Sequence, residues 1–157
     1  MKHLNEIEAA HELGHAWSWL LLAGVSCTIG RACDVGAGEP DDHDPVTVPH
    51  DLDGDSIRHI LATTAAGPLA QMAWEQPSIS IKRIIRLATN PKFGLEVLKA
   101  HGASDFDIML IEQAGGLASI TAKDKMVFHA ICQRVRDGHP HIKQVVQARS
   151  PTRLSIN

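Results

Sequence analysis

"AAHELGHAW" (residues 9–17) decides how this chain is read, because two histidines four positions apart bracket a glutamate among good helix formers. Four residues of α-helix turn about 400°, so the imidazoles of His11 and His15 leave one face about 6 Å apart along the axis. Both can then bind one tetrahedral metal ion. Glu12 lies about 100° round from His11, beside the metal rather than on it. There it can take a proton from a metal-activated water and hand it on to a leaving amine, as general base and then general acid. His11, Glu12 and His15 match H-E-x-x-H, a pattern that sets two zinc ligands and a base on one helix. Two neutral imidazoles with an open position describe a catalytic Zn2+ site, since structural sites are closed by four protein ligands. The alternative is two histidines at the edge of an ordinary helix.

Outward from this stretch, the pattern predicts a helix from about Asn5 to Leu22. Asn5 can cap it, Glu6 and Glu8 suit its first turn, and Gly24 stands just past its end. Trp17 and Trp19 are expected to pack this helix into the core. "VSCTIGRAC" (25–33) predicts a short strand, and residues 36–55, rich in Gly, Pro and Asp, a loop with one strand at "VTV" (46–48). Asp55 or Ser56 then caps a second helix, "IRHILATTAAGPLAQMAWE" (57–75), which Pro68 should kink or split. Further helices are expected over about 78–88, 91–100, 104–115, 121–137 and 140–148. The fold class is therefore mainly α (α+β), with a small β element after the first helix. Residues 1–149 are expected to form a single domain and 150–157 a C-terminal tail.

The chain's 157 residues suffice for one self-sufficient core. A net charge of −3 gives no reason to expect a nucleic-acid partner, and "IKRIIR" (81–86) has the spacing of a solvated helix face. Cys27, Cys33 and Cys132 are odd in number and wrongly spaced for a disulfide framework or a zinc knuckle, which suits structural thiols in a reducing compartment. The longest apolar run, "AWSWLLLAGV" (16–25), is far short of the roughly 20 residues that cross a bilayer. Acidic Glu6 and Glu8 ahead of it do not suit a signal peptide. A cytoplasmic location without membrane attachment is expected.

A third zinc ligand must come from elsewhere in the chain. The downstream acidic candidates are Glu75, Glu96, Asp105, Asp107, Glu112 and Asp124. Asp105 sits in "HGASDFDIML" (101–110), where a glycine turn leads into a helix start that can aim a carboxylate at a cleft. Asp105 can equally serve as a plain helix cap, although Ser104 could fill that role alone.

The order of motifs resembles the peptidase domain of the FtsH-type ATP-dependent zinc metalloproteases. Those carry an HEAGH helix, a helix reading like LAGRAAEE, and a Gly-Ala-Ser-Asn-Asp-Leu stretch whose Asp is the third ligand. This chain offers "HELGH" (11–15), "LATTAAGPLAQMAWE" (61–75) and "GASDFDIM" (102–109), and the resemblance spans about residues 6–135. It implies a helical zincin-like metallopeptidase with His11, His15 and Asp105 as metal ligands and Glu12 as base. The third motif is one residue shorter here, so Asp107 remains a rival to Asp105. Pro68 and Gln71 stand where the family has Arg and an acidic residue. No Gly-x-x-x-x-Gly-Lys-Ser/Thr loop is present, so the expected substrates are peptides or unfolded proteins, or else an ATPase partner acts in trans.

Two rivals share the motif. An ImmA/IrrE-like regulatory peptidase takes a glutamate as third ligand, which points at Glu75. A non-catalytic metal-binding regulatory module would keep the helix without the chemistry. Elsewhere, "DLDGDSI" (51–57) is laid out like a calcium loop, but its glycine is fourth rather than sixth and its twelfth position is Ala62 rather than glutamate. It reads as a solvated turn. His43, His50, His59, His101, His129, His139 and His141 read as solvated or hydrogen-bonded, with His101 the one to watch as a group behind the metal or on the substrate side. The "VSCTIGR" strand could accept a peptide by strand addition, though an ordinary short strand is the better reading.

Overall fold

A computed structural model of the chain describes residues 4–24, 26–29, 46–47, 57–118, 120–147 and 152–153. These are mainly helical, in the order α1 (Glu6–Ala23), β1 (Thr28–Ile29), β2 (Val46–Thr47), α2 (Ile57–Glu75), α3 (Ile81–Ala88), α4 (Gly94–Ala100), α5 (Asp105–Gln113), α6 (Ala122–Asp137), α7 (His139–Gln147) and β3 (Thr152–Arg153). The calcium-like stretch, the cap at Asp55 or Ser56, Cys33, His43 and His50 lie outside the described residues, as do the side chains of His59 and His139.

The helix ends follow local chemistry. At α1 the Asn5 side chain accepts from the Glu8 N–H at 2.8 Å, and the Glu8 carboxylate accepts from the Asn5 N–H at 3.2 Å. This reciprocal box satisfies two backbone donors that the first turn leaves without helical partners. At the other end Gly24 takes a left-handed conformation (φ 68°), and its N–H returns to the Leu20 carbonyl. Ser104 and Asp107 form the same box at α5, while Ser80 and Thr121 cap α3 and α6 through single hydroxyls.

Pro68 does not split α2. The helix runs unbroken from Ile57 to Glu75, with the proline ring fully buried. A proline inside a helix costs about 3 kcal/mol through its lost N–H bond and its clash with the preceding turn. Here every residue from Leu61 to Ala70 is buried, on α1 along one side and α6 along the other. Packing over that length outweighs the local penalty.

The α1–α2 contact is unusually close because small residues line it. A Cβ added at Gly14 would lie 2.5 Å from both the Ala66 carbonyl oxygen and the Ala70 Cβ. Phe128, Ile131, Cys132 and Val135 of α6 are buried in the same core, as are Leu13, Trp17 and Leu69. Arg136 then ties α6 to the end of α2: its guanidinium donates to the carbonyls of Ala73 (3.1 Å), Gln76 (2.9 Å) and Ile79. These last carbonyls of α2 and its following turn have no helical donor, and a cation suits that helix end.

Thr28 and Ile29 pair antiparallel with Thr47 and Val46 on one side and with Arg153 and Thr152 on the other. Lying between two neighbours, they offer no free edge for an added strand. Among the described residues no helix is long and apolar enough to cross a membrane.

Candidate metal centre

α1 supplies the two imidazoles and α2 supplies what orients them. Thr63, Gly67, Gln71 and Glu75 recur every fourth position and so form one stripe along α2. At one end His15 Nδ1 lies 2.7 Å from the Thr63 carbonyl oxygen. A carbonyl can only accept, so this nitrogen carries the hydrogen. At the other end Gln71 donates its Nε2 to Glu75 Oε1 at 2.7 Å, which turns Gln71 Oε1 toward His11 Nδ1 at 2.9 Å. His11 Nδ1 is therefore also the protonated nitrogen.

Both Nε2 atoms are left with lone pairs, and they face each other at 3.0 Å. Two lone pairs at that distance repel; only a proton or a metal cation between them makes the arrangement favourable. Zinc bound about 2.05 Å from each nitrogen would subtend about 94° at the 3.0 Å separation, and an opening of about 0.35 Å gives the tetrahedral angle. The separation of these two nitrogens therefore fits a shared zinc ion. Ordered imidazoles backed by oxygen acceptors are the usual dress of a zinc site.

Gly67 makes room for this geometry. A Cβ at that position would fall on the His15 ring, against Nε2 and the two adjoining carbons. Gly102, at φ 94°, does the same on the other ring: a Cβ there would sit 2.5 Å from Gln71 Oε1 and 3.1 Å from His11 Nδ1. The turn between α4 and α5 thus closes over the His11–Gln71 hydrogen bond.

The acidic residues are placed unequally. Asp105 is exposed at the first position of α5, while the Asp107 carboxylate is engaged with the Ser104 N–H at 3.2 Å. Glu75 is bound to Gln71; Glu96 and Glu112 are exposed; Asp124 is buried in the first turn of α6, with its N–H on Thr121. Among the described residues no third His, Cys, Asp or Glu joins His11 and His15 in a group that could hold a metal ion. The structure brings the two histidines together and does not bring Asp105 to them. Glu12 follows His11 on α1, half-buried, with its Oε2 buried.

His101 contributes through its backbone, which hydrogen-bonds the His11 ring. Its own ring donates from Nδ1 to the Val97 carbonyl (2.8 Å) and accepts at Nε2 from Gln76 (3.1 Å), so both nitrogens are engaged away from the pair. His141 lies edge-on to Trp17. Cys27 and Cys132 are both buried; burial pushes Cys132 up to about 12, which leaves it inert as a nucleophile.

Burial, and then the neighbouring charge of His15, push His11 down from 6.5 to about 3, against the pull of Gln71 and the His101 backbone. The ring is thus neutral at neutral pH, as a ligand must be. In the unfolded chain His11 takes a proton below pH 6.5, while the folded protein resists until about pH 3. Stability from this group is complete above 6.5 and is lost as pH falls through that window. In chelator, the unfolding free energy of wild type relative to His11→Gln should fall by about 1 kcal/mol between pH 6 and pH 5. A pH-independent difference would contradict a buried neutral His11.

Compared with known protein families, curated proteins and solved structures, the chain matches none.

Thr63, Gly67 and Gln71 were not legible from the residues alone as partners of the histidines. The only available signal was their spacing, one turn apart on a helix of small residues.

Proposed function

We propose that this chain is a zinc-dependent metallopeptidase of zincin-like architecture, with a small β element after the first helix, that cleaves peptides or unfolded proteins in the manner of the FtsH peptidase domain. The observation that carries the reading is the convergence of His11 and His15 Nε2 at 3.0 Å, with each Nδ1 committed to an oxygen of α2. Zinc, when bound, polarises a scissile carbonyl and acidifies water. His11 and His15 hold the ion as neutral ligands. Glu12, next to His11 on the same helix, accepts the proton released and returns it to the leaving amine. Asp105 is the proposed third ligand. Its neighbour Asp107 is occupied in capping α5, whereas Asp105 is exposed on the helix whose preceding turn covers His11. An ATPase supplied in trans, in the cytoplasm, would extend the activity to folded substrates.

The test is a zinc determination beside cleavage of an unfolded, labelled protein. The expected result is one zinc per chain, with cleavage lost in chelator and regained on adding zinc. Asp105→Ala should lose zinc and Glu75→Ala should retain it; the reverse would move the third ligand to Glu75. Cleavage that persists in chelator, or a wild type that takes up no zinc, overturns the reading.

A further inference from the structure

We infer that the Glu75–Gln71 pair is a selector that decides whether the two histidines are open to a metal or closed on each other, with Gln71 as the positioning residue of His11. The inference rests on the zinc reading above. A glutamine amide has two ends, an oxygen that accepts and an NH2 that donates. With the oxygen toward His11 Nδ1, as observed, the ring hydrogen sits on Nδ1 and Nε2 is bare. Rotated by half a turn, the same amide would donate to Nδ1 and drive the hydrogen to Nε2. His11 Nε2–H would then point at His15 Nε2, 3.0 Å away, and make an ordinary hydrogen bond. In that second arrangement the two rings bond each other and the metal position is filled by a hydrogen, while the Gln71 oxygen is turned toward the Glu75 carboxylate.

What separates the two arrangements is Glu75. Its carboxylate can only accept, and it takes the Gln71 NH2 at 2.7 Å, so the amide oxygen is the end left for His11. The turn at Gly102 lies against both Gln71 Oε1 and His11 Nδ1. His15 needs no such device, because the Thr63 carbonyl cannot rotate to become a donor. His15 is thus fixed by backbone alone, whereas His11 leans on the His101 backbone and on a side chain whose orientation an exposed carboxylate at the end of α2 controls.

The experiment measures imidazole 15N shifts in metal-free protein and zinc affinity by competition with a chelating dye. Four proteins are compared: wild type, Glu75→Ala, Gln71→Glu, and the double variant Gln71→Glu with Glu75→Ala. Glu75 is exposed, so its removal leaves the core untouched. Wild-type His11 should show hydrogen on Nδ1. Glu75→Ala should move it toward Nε2 and weaken zinc binding about tenfold without changing stoichiometry, the size expected for a group behind a ligand. Gln71→Glu presents acceptors only, so it should restore the Nδ1 hydrogen and the affinity in the double variant. Loss of a direct zinc ligand would not be restored in this way. A Glu75→Ala protein with unchanged His11 shifts and unchanged affinity overturns the selector, as does a double variant that stays weak. A wild type that binds no zinc overturns the metallopeptidase reading, while the shifts still report on the selector.

Discussion

Glu12→Gln should reduce peptide cleavage about a thousandfold or more while leaving one zinc bound per chain, within the range a positioned general base contributes. The substitution keeps the shape and polarity of the side chain and removes only its capacity to take a proton. His11 and His15 lean on Gln71 and Thr63 of α2, contacts that the substitution leaves in place. In the proposed mechanism metal binding and proton transfer are carried by separable groups, and the variant divides them. The comparison is His15→Ala, which should lose zinc and cleavage together. Zinc content, thermal midpoint and cleavage rate measured on the same preparations check this. Wild-type cleavage in Glu12→Gln would eliminate the assigned base; lost zinc in that variant would make Glu12 part of the binding set.

Gly67→Ala should weaken zinc binding by more than about 100-fold, beyond the range for loss of a group behind a ligand, because it displaces a ligand itself. The added methyl falls on the His15 ring at Nε2, and the ring cannot simply swing aside. Its Nδ1 is held by the Thr63 carbonyl, and α1 and α2 are in tight contact at Gly14. Overall stability should change less than affinity. Overpacking costs about 1–3 kcal/mol, but alanine in place of glycine returns nearly 1 kcal/mol of helix propensity. Affinity and unfolding free energy are therefore expected to part company. Unaltered zinc affinity in Gly67→Ala would show that the α2 backbone does not define the pocket.

The helices and their ends were legible because capping is written in neighbouring residues: Asn5 with Glu8, Ser104 with Asp107, Gly24 just past the last turn. Local rules failed at Pro68, where a helix buried on both flanks ignores its own breaker. At the centre, the spacing of His11 and His15 was enough to foresee that their rings share one face. The acceptors were not foreseeable, since Thr63 and Gln71, 48 and 60 positions along the chain from their rings, meet them only after α1 and α2 have packed. Nor does "GASDFDIM" alone say which carboxylate caps and which is exposed; the hydrogen bond from the Ser104 N–H to Asp107 does.

The stripe on α2 also restricts the length of the chain. Thr63 and Gln71 serve rings one turn apart on α1, and Gly67 must come midway between them. Each residue advances a helix by about 100°, so one residue inserted or deleted between 63 and 71 would put an acceptor on the wrong side. Substitutions can be absorbed in this segment wherever a small side chain still fits. A change in its residue count cannot, and in any descendant that keeps the centre these nine positions form an indivisible register.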